Sequence, residues 1–341
     1  MRHPLAAAAR WLAVFSASIV AVLLVAAAGI WGTLALAIAG PPDALLRNAL
    51  AAAFGLATLA ALLALVFGRW RRKALLVHLA LFAAVLVWFL SLQPSNDRNW
   101  QTNVAVLPYA TIEGDRVTVH NIRNFAYRSE TDYTPAYYDR RFDLAKLEGV
   151  DLGAVYWMGP AIAHIFLSFA FADGEHLAIS IETRTEKGEG YSTLRGFFRQ
   201  YELHYVVADE RDVIRLRTNY RKDPPEDVYI YRLPGSIRNG RNVFLGYMHR
   251  INALRDKPEF YNTLTTNCTT SIWYHSQVNP DHLPLSWKVL ASGYLPDYLY
   301  EMGRLDRNVP FETLRRAAYV NPRAQAADAA ADFSRRIRIA N

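Results

Sequence analysis

The sequence of 341 residues contains a single cysteine, Cys268, and therefore cannot form a disulfide within the chain. It has no His-Glu-x-x-His or Cys-x-x-Cys spacing, so a metal site is only a weak alternative, with His275, Asp281, His282 and Asp297 as its candidates. It also has no Gly-x-Ser-x-Gly turn and no glycine-rich phosphate loop, which argues against a serine hydrolase and a nucleotide-binding protein. We expect no metal and no cofactor, and the lone thiol becomes the leading candidate nucleophile.

Charge is absent from three long stretches of the first hundred residues: Trp11–Ala39, Asn48–Phe67 and Ala74–Asn96. Each stretch reaches the roughly 20 residues that cross a bilayer as a helix. The sequence therefore predicts a membrane domain over residues 1–94, made of three transmembrane helices.

Positive residues indicate the orientation of these helices, because cytoplasmic flanks retain Lys and Arg. We expect the cytoplasmic side to hold Arg2, Arg10 and the basic cluster at residues 69–73. The chain after about residue 94 then lies on the outer side of the membrane. A cleaved signal peptide ending at residues 37–39 is an alternative for the first helix. It would leave the rest of the chain on the same side.

Most of the net charge of +7 lies in the membrane domain. Residues 1–93 hold seven of the 38 basic residues and one of the 31 acidic residues, so the remaining chain is nearly neutral. The basic character thus reflects membrane topology, and we expect no nucleic-acid partner.

The remaining chain reads as an α+β domain over residues 97–320 and a basic, alanine-rich tail over 321–341. A hairpin is predicted from residues 103–112 and 116–125, and helical patterns dominate from about residue 242. The tail is expected to form a solvated helix, with a contact to anionic lipid as an alternative.

Cys268 is preceded by Asn267 and followed by Thr269 and Thr270, residues that favour the start of a helix. A thiol in a first helical turn lies near free N–H groups and the positive end of the helix dipole. These lower its pKa, so we expect a thiolate.

A second hairpin brings a histidine and a carboxylate together. A turn at residues 173–175 would pair Leu167 with Ile181 and make His164 and Glu182 diagonal neighbours on the other face. The carboxylate could orient the imidazole as a base for the thiol. The plainer alternative is an ordinary strand histidine beside an ion pair of Glu182 with Arg184.

A cysteine at a helix start and a histidine at a strand start are the arrangement of papain-like thiol enzymes. Here His164 precedes Cys268 in the chain, so the predicted papain-like core is circularly permuted.

The outer domain resembles the Lnb-type extracytoplasmic domain, the N-terminal periplasmic domain of bacterial proteins related to the lipoprotein intramolecular transacylase. The resemblance rests on several ordered motifs along the domain. These are residues 121–125 and 127–128, 164–169, 181–184 and 186–189, 205–212 and 217–221, and 261–270.

The resemblance implies that Cys268 and His164 are the catalytic pair of a membrane-anchored acyltransferase working through a thioester, in the bacterial cytoplasmic (inner) membrane. Membrane lipids and diacylated lipoproteins are the implied partners. In the namesake, a fatty acyl chain moves from the glycerol of a diacylglyceryl-cysteine lipoprotein to the α-amine of that cysteine. A lipid esterase or amidase, and a non-catalytic lipoprotein-binding scaffold, remain alternatives.

Four further residues are predicted to contact the substrate or its oxyanion. The backbone at Cys268 with Asn267 and Thr269 could donate to an oxyanion. Arg184 and Lys187 belong to a basic run that could bind lipid headgroups. The alternative for that run is a set of ordinary ion pairs with its acidic neighbours.

Overall fold

The computed structural model describes residues 4–68 and 70–338, and the side chains of 11–68 and 70–338. Arg2 and Arg69, which were used to orient the helices, lie outside the described residues, as does the side chain of Arg10. The described residues form two compact units. One contains the three apolar helices with Phe198–Gln200, and the other contains the rest of the chain from Pro94.

Three long helices form most of the first unit: α1 (Pro4–Ala39), α2 (Ala44–Phe67) and α3 (Arg71–Ser91). By length and composition each can cross a membrane, which confirms the three predicted apolar helices. Asp43 caps α2 by accepting a hydrogen bond from the N–H of Leu46. The third helix ends before the predicted Asn96, because the residue before Pro94 disfavours helical geometry.

The described residues of the second unit form ten strands. They are β1 (Tyr109–Glu113), β2 (Arg116–Arg123), β3 (Ala126–Tyr127), β4 (Tyr133–Thr134), β5 (Tyr137–Asp143), β6 (Leu147–Tyr156), β7 (Ala163–Phe171), β8 (His176–Arg184), β9 (Glu202–Asp209) and β10 (Asp227–Leu233). Seven of them form a sheet in the order β1-β2-β9-β8-β7-β6-β10, and β5 adds to it through β2. The predicted first hairpin is confirmed by the antiparallel pairing of β1 with β2.

Except for the first, which lies between β9 and β10, the helices of this unit follow the strands of the sheet, as the periodicity predicts. They are α4 (Glu210–Arg215), α5 (Ile237–Asp256), α6 (Cys268–Ser276), α7 (Trp287–Leu290), α8 (Leu295–Glu301), α9 (Phe311–Ala318), α10 (Asn321–Ala326) and α11 (Phe333–Arg336). The unit is therefore α+β.

Alternating residues of the central strands divide between two hydrophobic cores. Leu167 and Phe169 of β7 pack with Phe244 of α5 and the other residues of the larger core, against which Cys268 of α6 also packs. Phe166 belongs to a second core, which α4, α10 and α11 build on the opposite face. Helices thus cover both faces of the sheet.

The hairpin of β7 and β8 turns one residue earlier than predicted. Gly174 lies in the turn with φ of 81°, a conformation that glycine adopts without steric cost. Leu167 consequently pairs with Ile179, so the predicted pairing with Ile181 is wrong by two residues. A shift of two residues leaves each side chain on its own face, so the hydrophobic pattern could not distinguish the two registers.

The strands β7 and β8 separate at one end of the hairpin. Their pairing ends at Phe166 with Ser180, whereas β7 remains paired with β6 as far as Ala163 and β8 with β9 as far as Arg184. The sheet therefore has an opening between β7 and β8, and the ends of both strands border it.

The expectation of a solvated C-terminal helix is wrong for the described residues. Phe333 and Ile337 are fully buried in the second core. Arg338 binds Asp151 of β6 and Glu210 of α4, two carboxylates that are almost completely buried. The sequence did not indicate that the C-terminal segment packs on the domain, because the few large apolar residues of this segment are spread among alanines and arginines.

Candidate active site

Cys268 is the first residue of α6, as the capping pattern predicts. The Asn267 side chain accepts hydrogen bonds from the N–H groups of Thr269 and Thr270, and the Thr270 hydroxyl accepts one from the N–H of Asn267. This reciprocal capping box fixes the start of the helix. The N–H of Cys268 itself belongs to the first turn, whose N–H groups have no acceptor within the helix.

The thiol of Cys268 is protonated at rest. Burial raises its pKa, and this effect outweighs the lowering caused by the backbone N–H of Ile165 and by Thr269. The expected thiolate is therefore wrong for the resting structure, because desolvation of the charged sulfur exceeds the stabilisation by the helix start.

A chain of four polar side chains extends from the histidine at the opening. His164 Nε2 lies 2.6 Å from Ser180 Oγ, Ser180 Oγ lies 2.8 Å from Glu182 Oε1, and that oxygen also accepts from Arg217 at 3.0 Å. The direct distance from His164 Nε2 to Glu182 Oε1 is 3.7 Å. Glu182 therefore acts on His164 mainly through Ser180, a residue to which the sequence analysis gave no role.

This chain determines which nitrogen of His164 is basic. Burial opposes ionisation of Glu182, but Arg217 and His164 hold its pKa well below the ordinary value, so it is a carboxylate that only accepts hydrogen bonds. Ser180 donates to it and must accept from His164, which places a proton on Nε2. Burial and nearby Arg217 lower the pKa of His164 to about 3, so the ring is neutral and its Nδ1 has a free lone pair.

Helix α6, which begins at Cys268, packs against β7, the strand that carries His164. The N–H of Ile165, the residue after His164, lies close enough to the sulfur to lower the pKa of the thiol, and the charge of Glu182 acts on the pKa of both Cys268 and His164. Within the described part of the chain, no hydrogen bond joins the sulfur to the imidazole. Their pairing in catalysis stays a prediction.

A buried hydroxyl that the sequence analysis missed lies in the surroundings of the thiol. Tyr247 of α5 is fully buried, and its hydroxyl has no hydrogen-bond partner among the described residues. Burial raises the pKa of Tyr247, and the neighbouring groups Tyr205 and Cys268 raise it further. An unpartnered buried donor of this kind is uncommon and available to a ligand.

Asn267 and Thr269 serve the helix that carries the thiol. The Asn267 amide donates to the carbonyl of Thr263 at 2.7 Å, in addition to its capping role. The Thr269 hydroxyl lies 3.6 Å from the sulfur of Cys268. Asn267 thus positions Cys268 by capping the helix, and Thr269 contacts the thiol directly.

Arg184 and Lys187 do not join this group. Arg184 is buried, donates to the carbonyls of Val104 and Ala105, and lies over the ring of Trp100 at 4.3 Å. The predicted headgroup contact is wrong for Arg184, because its guanidinium is engaged inside the domain. Lys187 is an exposed residue beyond the end of β8.

One group among the described residues has the spacing of a metal site: Asp151, His176 and Glu210. Arg338 donates to both carboxylates, at 2.7 Å to Asp151 and 2.5 Å to Glu210. The guanidinium already supplies the positive charge that these carboxylates require. We assign this group to the docking of the C-terminal segment.

Comparison with known proteins identifies the domain that contains this site. Residues 133–293 match the Lnb N-terminal periplasmic domain. This confirms the resemblance seen in the sequence motifs. The match includes His164, Ser180, Glu182 and Cys268. No curated protein and no solved structure matches the chain.

The protein therefore combines a region that matches the Lnb N-terminal periplasmic domain with three helices that are long and apolar enough to cross a membrane. Together these features indicate a membrane protein of the cell envelope with a periplasmic domain.

Proposed function

We propose that this protein is a membrane-anchored thiol acyltransferase, in which Cys268 carries an acyl group as a thioester. The observation that carries the proposal is the chain from His164 through Ser180 to Glu182 and Arg217, which leaves Nδ1 of His164 unprotonated on β7, the strand against which the helix of Cys268 packs. A neutral imidazole beside a neutral thiol suits general-base activation of the nucleophile.

In the first half-reaction, the sulfur attacks the carbonyl carbon of a lipid ester while its proton moves to Nδ1 of His164. The carbonyl oxygen becomes an oxyanion, for which the N–H of Cys268 and the hydroxyl of Tyr247 are candidate donors. When the oxyanion collapses, the carbon–oxygen ester bond breaks and His164 returns the proton to the leaving alkoxide. The products are a thioester on Cys268 and a lipid alcohol.

In the second half-reaction, an amine attacks the thioester and gives an amide, and the thiol is regenerated. The acceptor proposed from the Lnb relationship is the α-amine of a diacylated lipoprotein. Water in place of the amine would give a free fatty acid and make the protein a lipid hydrolase. The chemistry at Cys268 and His164 is the same in both cases until the acceptor arrives.

The proposed arrangement is a circularly permuted papain-like core anchored by a multi-pass segment in the inner membrane. It is supported by a thiol at the start of α6, a histidine at the start of β7, and a carboxylate on the adjacent strand β8. The histidine precedes the cysteine in the chain, as the permutation requires.

The test is intact-mass analysis of the full chain in lipid nanodiscs after addition of a diacylated lipopeptide. We expect an acyl adduct on Cys268 that hydroxylamine removes, and no adduct with Cys268→Ala or His164→Ala. Ser180→Ala should lower the rate of adduct formation by at least about ten-fold, within the roughly 10²–10⁴-fold that a general base contributes. Analysis of the lipopeptide then separates amide formation from hydrolysis.

The matched control is His120→Ala. His120 also bonds a carboxylate, Asp139 at 2.6 Å, but it lies on β2, which β9 and β8 separate from β7 in the sheet. We expect normal acylation in this variant. A folded wild-type protein that forms no adduct and leaves the lipopeptide unchanged would disprove the proposal and favour a non-catalytic lipoprotein-binding scaffold.

A further inference from the structure

A cavity of about 400 Å³ lies on the α5 and α6 side of the sheet. Its inner wall is mostly apolar and includes Leu152, Leu167, Val243, Ile272 and Val289. This volume and this lining are typical of sites for small organic ligands. The apolar lining favours an apolar occupant.

The two ends of the cavity differ. Its rim carries half-exposed charged residues, among them Arg232 and the ion pair of Arg304 with Asp281. At its buried end it is lined by Thr269, which is 2% exposed and whose hydroxyl lies 3.6 Å from the sulfur of Cys268. One side chain therefore links the cavity to the candidate nucleophile.

Because of this link, we infer that the cavity holds the hydrocarbon tail of an esterified acyl chain, with the ester carbonyl at Cys268 and the tail running past Thr269 between β6, α5 and α6. The assignment of the carbonyl to Cys268 rests on the proposed thioester chemistry. An unbranched acyl chain suits an apolar cavity whose lining includes Thr269, the residue in contact with the thiol. The three apolar helices of the same chain are long enough to cross a membrane, so we take membrane lipids as the source of the acyl chain.

The first experiment measures chain-length selection by the full chain in nanodiscs. Diacylated lipopeptides with chains of 10, 12, 14 and 16 carbons compete for adduct formation at Cys268, with and without Val243→Phe. Val243 lines the cavity from α5, so we expect the variant to lose at least ten-fold in rate with the longest chain and little with the shortest. Leu245→Phe is the matched control: Leu245 lies two residues along the same helix, is partly buried, and does not line the cavity.

The second experiment needs no activity. The Cys268→Ala protein in nanodiscs is photolabelled with a phosphatidylcholine that carries a diazirine in its acyl chain, and in parallel with a free diazirine fatty acid. We expect the phospholipid to label peptides from β6, α5 and α6, and Val243→Phe to reduce this labelling at least several-fold while Leu245→Phe does not.

The results separate this inference from the proposed function. Cavity labelling by the phospholipid without any adduct on Cys268 would support the cavity assignment and contradict the thioester chemistry. An adduct that forms with unchanged chain-length selection in Val243→Phe, and without cavity labelling, would overturn the cavity assignment alone. Labelling by the free fatty acid only would also overturn it, because the proposed occupant is an esterified chain.

Discussion

The reactivity of the site depends on where its two protons lie at rest. Burial raises the pKa of Cys268 and lowers the pKa of His164 to about 3, so both side chains are neutral at physiological pH. The site therefore does not store a thiolate–imidazolium pair. In the proposed mechanism the sulfur loses its proton to Nδ1 of His164 as it attacks, so the reaction depends on the position and tautomer of the imidazole.

The raised pKa can be measured directly because Cys268 is the only cysteine in the chain. We expect the rate of alkylation by iodoacetamide to keep rising at pH values where the rate for the same cysteine in the urea-unfolded protein has levelled off. The midpoint of this profile reports the thiol pKa, whereas the absolute rate also depends on access. Rapid alkylation that does not change between pH 6 and pH 8 would show a preformed thiolate and contradict the structure.

Tyr247→Phe tests whether the buried Tyr247 hydroxyl, which has no hydrogen-bond partner in the described part of the chain, serves the reaction. Removing a buried hydroxyl without a partner relieves its desolvation cost, so we expect the stability to be unchanged or higher. If the hydroxyl donates to the oxyanion, acylation of Cys268 should fall by roughly 10²–10³-fold, the usual loss for one such donor. Intact-mass kinetics and thermal unfolding of the same sample measure the two effects.

The control for Tyr247→Phe is Tyr205→Phe. The Tyr205 hydroxyl pairs with Nε2 of His275 at 2.9 Å, so its loss should lower the stability by about 1 kcal/mol. We expect a smaller effect on acylation than in Tyr247→Phe. Equal acylation by Tyr247→Phe and wild type would exclude the hydroxyl as an oxyanion donor.

At the scale of elements, the position of the thiol depends on the cap of α6. Asn267→Ala removes the acceptor for the N–H groups of Thr269 and Thr270 and should lower the stability by about 1 kcal/mol. Acylation should fall more than this stability loss explains, because the first turn carries Cys268. Asn267→Asp keeps the acceptor and should restore most of the activity, as measured by adduct formation in folded protein. A variant Asn267→Ala with normal acylation would show that the thiol is held by other contacts.

The sequence predicted these elements better than the contacts between them. The start of α6 followed from a local signal, the Asn and Thr residues around Cys268. The faces of β7 and β8 followed from alternation, but their register did not, because a two-residue shift satisfies the same pattern. The position of Ser180 beside His164 follows from that register. The position of Tyr247 near the thiol follows from the packing of α5 beside α6. Neither position carries a local sequence signal.

For the whole domain, buried neutral histidines predict instability in acid. Burial lowers the pKa of His164 and His204 to about 3 and that of His275 to about 4, whereas an unfolded histidine titrates near 6.5. As the pH falls below about 6.5, the unfolded state binds protons that the folded state does not, so the free energy of unfolding decreases. Glu202, whose pKa burial raises to about 7, has the opposite effect between about pH 7 and 4.5.

Three histidines outweigh one glutamate, so we expect the thermal unfolding midpoint of the full chain in detergent to fall from pH 7 to pH 5. His204→Gln should reduce the dependence of the unfolding midpoint on pH. Nδ1 of His204 has no hydrogen-bond partner among the described residues, so the substitution breaks no hydrogen bond at that atom. His249→Gln, on the exposed side of α5, should leave the slope unchanged. A midpoint that stays constant or rises toward pH 5 would contradict the burial of these rings.

The C-terminal segment closes the second face of the sheet, and Arg338 is the residue that secures it. Its guanidinium bonds Asp151 of β6 and Glu210 of α4, and Glu210 also accepts from Ser168 of β7. Arg338→Ala leaves the buried Glu210 without its guanidinium partner and leaves Asp151 with Arg232 alone, so the stability should fall by roughly 3–5 kcal/mol.

Arg338→Lys should recover only part of that loss, because one ammonium cannot match the several directed N–H groups that reach both carboxylates. Thermal unfolding in detergent measures the effect, with Arg336→Ala as the control, since Arg336 is exposed and pairs with Asp332 in its own turn. The control should show no measurable change. Equal stability of Arg338→Ala and wild type would instead support the solvated tail that the sequence alone suggests. It would also show that the packing of β6 and α4 does not depend on Arg338.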